Sequence, residues 1–233
     1  MPDETFDAVI VGGGNKALFL AMYLTKYAGM SVGIFERRHE IGGCLATEES
    51  AAPGFRVNTH ATMQLPFYYL PLWRDFPEFW EYGARLDQHL SNAGAIFRNN
   101  QTCLTIYSDK HDPTQERSAK EIARFSERDA EKWLRVSKLD HSIEYQRVQM
   151  DSLMNPAEFN LAPEVLNRQI ELYPKLLEVG FQPDSLLLST SHMHAVLEEW
   201  ESKEMQYCLL RFILSGAIDV NEPGGAADTI GMT

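Results

Sequence analysis

An α/β fold at the N-terminus that gives way to a mostly helical remainder is what this sequence predicts, on three observations. A β-type apolar run, Phe6 to Val11, ends in Gly12-Gly13-Gly14 and continues into Ala17-Leu18-Phe19-Leu20-Ala21-Met22-Tyr23-Leu24, which reads as strand, tight turn and helix. A second β-branched and apolar run, Ser31 to Phe35, ends in Glu36 and closes a βαβ unit. From Ser118 onward apolar residues recur instead at three- and four-residue spacing, the period of an amphipathic helix.

The elements follow in order. Residues 40 to 65 are rich in Gly, Thr and Pro and read as loop with short strands, whereas Gln101 to Ser108 alternates as a strand does. Ser118 with Glu121 and Ser126 with Asp129 each resemble a capping box, and Trp133, Val136, Leu139 and Ile143 then predict one helix from about Glu127 to about Met150. Two further helices are predicted, Pro163 to Val179 with a disturbance at Pro174, and His192 to Leu214, bounded by Gly180 and Gly216. No internal repeat is visible. The expected division is 1–65, 66–215 and a tail, 216–233.

With 44% apolar and 23% charged residues over 233 positions, the chain has the composition of an ordinary globular protein. Lys and Arg number 21 against 33 Asp and Glu, and a net charge of −12 without a basic patch argues against nucleic acid as a partner. No apolar run approaches the roughly 20 residues that cross a bilayer, and the start lacks a basic, then apolar, leader, so a cytoplasmic protein is expected. Cys44, Cys103 and Cys208 are odd in number and match no metal-ligand spacing, so they are expected to be reduced, with no metal site.

The chemistry concentrates in Gly12-Gly13-Gly14-Asn15-Lys16-Ala17, which fits G-x-G-x-x-G/A with alanine in the third place. Gly12 makes the turn after the strand, Gly14 lets backbone approach a pyrophosphate, and Ala17 keeps helix close to sheet. The phosphates then sit on free N–H groups where the helix dipole favours negative charge. Glu36, 22 residues after Gly14, stands at the end of the second strand, placed to accept hydrogen bonds from ribose hydroxyls and to disfavour a 2′-phosphate. This pattern predicts a dinucleotide; by itself it does not separate FAD from NAD.

The residues that follow carry a resemblance. Glu36-Arg37-Arg38, Ile41-Gly42-Gly43, Ala46-Thr47-Glu48 and Pro53-Gly54-Phe55-Arg56-Val57-Asn58-Thr59 resemble the opening of the phytoene desaturase and amine oxidase type flavoproteins, the phytoene dehydrogenase-like branch most of all. Ala123 to Ala130 and Glu198 to Glu204 are similar to that branch's substrate-side domain. The resemblance implies a Rossmann-type, glutathione-reductase-like FAD-binding domain, incomplete in this chain, followed by a mostly helical substrate-side domain. It implies FAD as the cofactor, contacted by Gly12, Gly13, Gly14, Asn15, Ala17, Glu36 and Arg37, with Gly42 and Gly43 bringing backbone close and His60, Ala61 and Thr62 nearer the isoalloxazine. Two departures stand out. Cys44 takes the place where many relatives carry a cation after the Gly-Gly pair. His60 stands where they often have glycine, and is either a flavin-side acid or base or a packed polar residue lining the cofactor.

The same resemblance implies flavin-dependent dehydrogenation or desaturation of a hydrophobic small-molecule substrate, isoprenoid or monoterpene among the candidates. Flavin does the redox chemistry, and no catalytic side-chain constellation stands out. Members of this group are longer, and their C-terminal part returns to the flavin with a Gly-Asp motif that is absent here. The expectation is a split, heteromeric oxidoreductase in which a second subunit supplies the remaining half of the flavin domain. The alternatives are a fragment, a cofactor-holding scaffold subunit, or an NAD-binding protein.

Lesser features admit two readings. Pro66 to Trp80, the most aromatic stretch, is either core or partner-interface packing, or an apolar substrate tunnel or surface touching a membrane. His192 and His194, two residues apart, make poor joint ligands on a helix and read as surface or helix-start residues. Glu198-Glu199-Trp200-Glu201 reads as a solvated helix face.

Overall fold

The N-terminal apolar runs pair as parallel strands. In the computed structural model, which describes residues 4–61, 66–85, 89–98, 101–154, 163–187, 189–215, 218–223 and 225, β1 (Ala8–Val11) lies beside β2 (Val32–Phe35) in register from Ala8↔Val32 to Val11↔Phe35. A polar clamp fixes where the pair begins: Ser31 donates its N–H and its hydroxyl to Asp7 Oδ2 at 2.8 and 2.7 Å. Between the strands runs α1 (Asn15–Ala28), which stops at Gly29, a left-handed C-cap at φ 64°. An antiparallel hairpin follows, β3 (Thr47–Ala52) with β4 (Phe55–Asn58).

The chain divides into two compact units, Met1–Leu70 and Pro71–Thr233. After α2 (Pro66–Asp75) and a 3₁₀ turn at Pro77–Trp80, β5 (Ser91–Phe97) and β6 (Thr102–Tyr107) form an antiparallel ribbon. Then come α3 (Glu116–Ala123), α4 (Glu127–Asp140), α5 (Ile143–Met154), α6 (Pro163–Glu178), α7 (His192–Glu199) and α8 (Lys203–Ser215). One face of the ribbon, Ala93, Leu104 and Ile106, packs with Ile122, Trp133, Val196, Trp200, Met205 and Leu209 into the main core. Val136, Leu139, Tyr145, Leu172, Phe181 and Ala195 form a second cluster. In the aromatic stretch Leu72 and Phe76 are buried, while Trp80 and Tyr82 reach solvent.

Four local readings are corrected, each because a polar side chain answers backbone groups that periodicity does not register. The single helix 127–150 is two, α4 and α5. Ser142 N–H closes a tighter turn on Leu139 O at 2.9 Å, Ser142 Oγ accepts from Tyr145 N–H, and the Gln146 amide takes Asp140 O at 2.8 Å. The helix expected over 192–214 is also two. Asp129 accepts Glu201 N–H, Ser202 N–H and the Ser202 hydroxyl at 2.7–2.8 Å and so starts α8 afresh. Ser126 is an N-cap as expected, accepting Asp129 N–H at 3.1 Å, but Ser118 lies inside α3. Its hydroxyl bridges Tyr107 N–H and Asp112, and Asp112 receives the N–H groups of Arg117 and Ser118.

The acidic run is not a solvated face: Glu199 and Trp200 are 4% and 2% exposed, and Glu199 pairs with buried Lys132. Lys132 also donates to Gly180 O at 3.1 Å and lies 4.4 Å from the Phe181 ring centroid. Desolvation pulls its pKa down, against the bonding to Glu199 that supports its charge. His192 is buried at the start of α7, its Nδ1 3.2 Å from Gly225 O, whereas His194 is exposed. Among the described residues no helix is long and apolar enough to cross a membrane, and no group of three or more His, Cys, Asp or Glu side chains is placed to hold a metal.

Candidate dinucleotide site

The turn between β1 and α1 is built from three glycines that do different work. Gly12, at φ +96°, reverses the chain and donates its N–H to Phe35 O at 2.8 Å, which ties the turn to the end of β2. Gly13 is packed: a Cβ there would stand 2.9 Å from Ile41 Cγ2 and 3.3 Å from Glu36 Cβ. Gly14 is open, with nothing within 4 Å of the position a Cβ would take. It is the N-cap of α1 and supplies no side chain to the helix's first N–H groups, and the first turn carries no acid. An anion can therefore approach backbone donors at the positive end of the helix dipole without meeting a side-chain carbon at Gly14 or an acid in the helix's first turn.

Glu36 turns back onto this loop. Its Oε2 accepts Gly13 N–H at 2.6 Å and its Oε1 accepts Arg38 N–H at 2.8 Å. Those bonds, Arg38's first and Gly13's second, hold the carboxyl below the usual glutamate range, so it stays ionised at neutral pH. Each oxygen keeps acceptor capacity for a hydroxyl, which is what an adenosine ribose offers.

The loop after β2 reaches the same place. Gly42 N–H donates to Gly13 O at 2.7 Å, and Gly14 and Gly42 form an isolated parallel bridge. Gly43, at φ +62°, lies so close that a Cβ on it would stand 3.1 Å from Gly14 Cα. Cys44 is exposed, and its carbonyl accepts Ala61 N–H at 3.1 Å. Thr59 Oγ1 meets His60 Nδ1 at 2.9 Å.

Gly12, Gly13, Gly14, Glu36, Gly42 and Gly43 are thus gathered by hydrogen bonds and close backbone packing, and Ala61 is tied to Cys44. Asn15 and Ala17 open α1, with the Asn15 amide oxygen accepting Lys16 N–H at 2.9 Å. Arg37 and His60 are exposed, and Thr62 lies outside the described residues. Two contributors escaped sequence reasoning. Ile41 is the side chain that makes Gly13 obligatory, and Arg38 serves through its backbone N–H, a role no residue type announces.

Residues 10–80 match the family described as NAD(P)-binding Rossmann-like domain. That stretch is thus similar to a Rossmann-like dinucleotide-binding domain. The chain is 30% identical over 229 residues to a limonene dehydrogenase subunit of Castellaniella defragrans, covering 93% of this chain and 36% of that protein. It is 26% identical over 234 residues to pyridine nucleotide-disulfide oxidoreductase domain-containing protein 2 of Rattus norvegicus, covering 91% of this chain and 38% of that one. The chain thus spans little more than a third of the length of these relatives. Among solved structures, a putrescine oxidase mutant from a redesign of cofactor binding is similar at 16% identity and a TM-score of 0.44, covering 97% of this chain and 41% of that one.

Proposed function

We propose that this chain is the ADP-holding part of an FAD-dependent oxidoreductase acting on a hydrophobic substrate, its flavin site completed by further polypeptide. The observation that carries the reading is the pairing of an open Gly14 cradle with the ionised Glu36 carboxylate on the same loop. In this reading residues 1–65 are the first part of a glutathione-reductase-like flavin domain, 66–215 are substrate-side, and 216–233 return toward the flavin or the partner. Gly12, Gly14, Asn15 and Ala17 face the pyrophosphate, and Glu36 and Arg37 the ribose. Gly13, Gly42 and Gly43 pack backbone beneath it, and Cys44, His60, Ala61 and Thr62 stand toward the rest of the cofactor.

When bound, the flavin supplies the redox chemistry. This chain's residues orient it: the α1 terminus holds its phosphates, and Glu36 fixes the ribose. Completion by a second subunit is supported by the exposure of the first unit's apolar side chains, Val9 at 58%, Val11 at 88% and Phe35 at 58%. The name of the Castellaniella relative, a subunit of limonene dehydrogenase, supports both a multi-subunit enzyme and a cyclic monoterpene or like isoprenoid as substrate class.

The test is cofactor analysis of the purified chain, alone and with the polypeptide that completes it. FAD is expected in the complex, yellow and released intact on denaturation, and Glu36→Gln and Gly14→Val are expected to lose it. Flavin affinity should stay level across neutral pH and fall only as acid protonates Glu36, at a pH below the usual glutamate range. Colourless protein that binds NAD instead overturns the flavin, and a stable monomer with stoichiometric FAD overturns the missing half.

A further inference from the structure

Among the described residues, the β5–β6 ribbon in the second unit is covered on one edge and largely open on the other. On the outer edge of β6, Tyr107 N–H donates to Ser118 Oγ at 3.0 Å, Tyr107 O accepts the Gln115 amide at 3.2 Å, and Cys103 O accepts Arg124 Nη1 at 3.3 Å. Tyr107 and Cys103 therefore turn their backbone groups away from β5. In an antiparallel pair, residues directly opposite share that orientation. Ile96 is paired with Cys103, and Gly94 with Thr105, two residues along on each strand. The N–H and C=O groups of Gly94 and Ile96 hence point outward along the free edge of β5.

Among the described residues one group answers them: Arg211 Nη1 on α8, at a long 3.5 Å from Gly94 O. A groove of about 610 Å³ runs along this edge, lined by Gly94, Ile96, Cys103, Thr105, Tyr207 and Arg211 among others. Ile96 is 82% and Tyr207 54% exposed, and among the described residues no carboxylate pairs with Arg211.

We propose that this edge is a docking site for an extended polypeptide strand, alternately apolar and carrying a carboxylate opposite Arg211. Outward N–H and C=O groups repeating every second residue match the backbone of another strand, about 4.8 Å away. The floor continues the sheet over α8, so one side chain of the incoming strand meets the Tyr207 ring, which packs edge-on against Phe97 at 5.8 Å between centroids. Arg211 then exchanges a long bond to a carbonyl for a charge-assisted one. A second copy of this chain is disfavoured because each copy carries −12. The relatives' remaining sequence, nearly two thirds of their length, is ample source for such a strand. The proposal is independent of the flavin reading, because the groove belongs to the second unit alone.

The experiment is amide hydrogen exchange by NMR on the whole chain, with the capped peptide Thr-Val-Thr-Glu-Thr-Val as the strand, which puts Val and Glu on one face, and a twin carrying Lys for Glu. Exchange at Gly94 and Ile96 is expected to slow by about tenfold on adding the first peptide. Arg211→Glu should reverse the preference between the twins by about tenfold. Ile96→Pro removes an outward N–H at an exposed edge position, which an edge strand tolerates, and should abolish protection while the helical spectrum stays unchanged. No slowing at saturating peptide, or slowing that survives Ile96→Pro, overturns the proposal. Protection of Gly94 and Ile96 without peptide that grows with chain concentration overturns it in favour of self-pairing.

Discussion

In the second unit Trp133, Leu104, Ile106, Met205 and Leu209 are at most 1% exposed, whereas in the first α1 buries no residue and Val11 stays 88% exposed. The second unit folds a ribbon and several helices onto one another and finishes a core from its own side chains. Among the described residues of the first, Ala46 is the one apolar side chain that is fully buried. What holds the first unit is hydrogen bonding and close backbone packing: the Asp7–Ser31 clamp, the parallel ladder, and glycines stacked at the turn. A side-chain core stabilises by removing apolar area from water, while a glycine-built loop stabilises little and shapes a surface instead. The difference teaches where to look for chemistry, since the poorly buried unit is the one that leaves backbone donors open at a helix N-terminus.

Perturbing each side sharpens the contrast. The largest effect is expected for Glu199→Ala, which leaves Lys132 buried without its anion and Gln182 N–H without its acceptor, at a cost of about 3–5 kcal/mol. Urea denaturation monitored by tryptophan fluorescence reads it. Gly13→Ala comes next: its Cβ must displace Ile41 or Glu36, and overpacking of that kind costs about 1–3 kcal/mol. Gly14→Ala at the neighbouring position meets open space, so its stability should hardly change while dinucleotide affinity falls. If the two alanines behave alike, the division of labour among the glycines is wrong.

Ser126→Ala removes the N-cap of α4 and a partner of Glu201, for about 1 kcal/mol in the same denaturation assay. The smallest change is chemical. Burial pushes the Cys208 thiol up to about 11, so iodoacetamide near neutral pH should label Cys44 and Cys103 and spare Cys208, as peptide mass mapping would show.

The first unit was largely legible because its signals are local. A β-branched run, a glycine cluster and an acid at the end of the next strand each report on the backbone within a few residues, and strand, turn and helix fell where they predicted. The second unit was less so. Trp133, Val136 and Leu139 gave the right face of α4, yet the same periodicity ran on through Ser142 and again through Trp200 to Ser202, where helices end. Those stops depend on Gln146 capturing a carbonyl and on Asp129 receiving amides more than seventy residues away in sequence. Glu199 was misplaced for a like reason: a charged residue enters a core when a partner such as Lys132 meets it there, whereas His192 does start a helix, as expected, and is buried against the Gly225 carbonyl.

By itself, then, the sequence determined the Gly-rich turn, its flanking strand and helix, the place of Glu36, and a dinucleotide as what they suit, because φ, Cβ and charge are properties of single residues. Tertiary structure alone decided that Gly13 is filled and Gly14 open, that Gly42 and Gly43 lie against them, and that among the described residues the β6 edge is sheathed while the β5 edge meets Arg211 alone. Those facts turn on which distant atoms come within about 3–4 Å, the range over which packing and hydrogen bonding act, and no local pattern encodes that meeting.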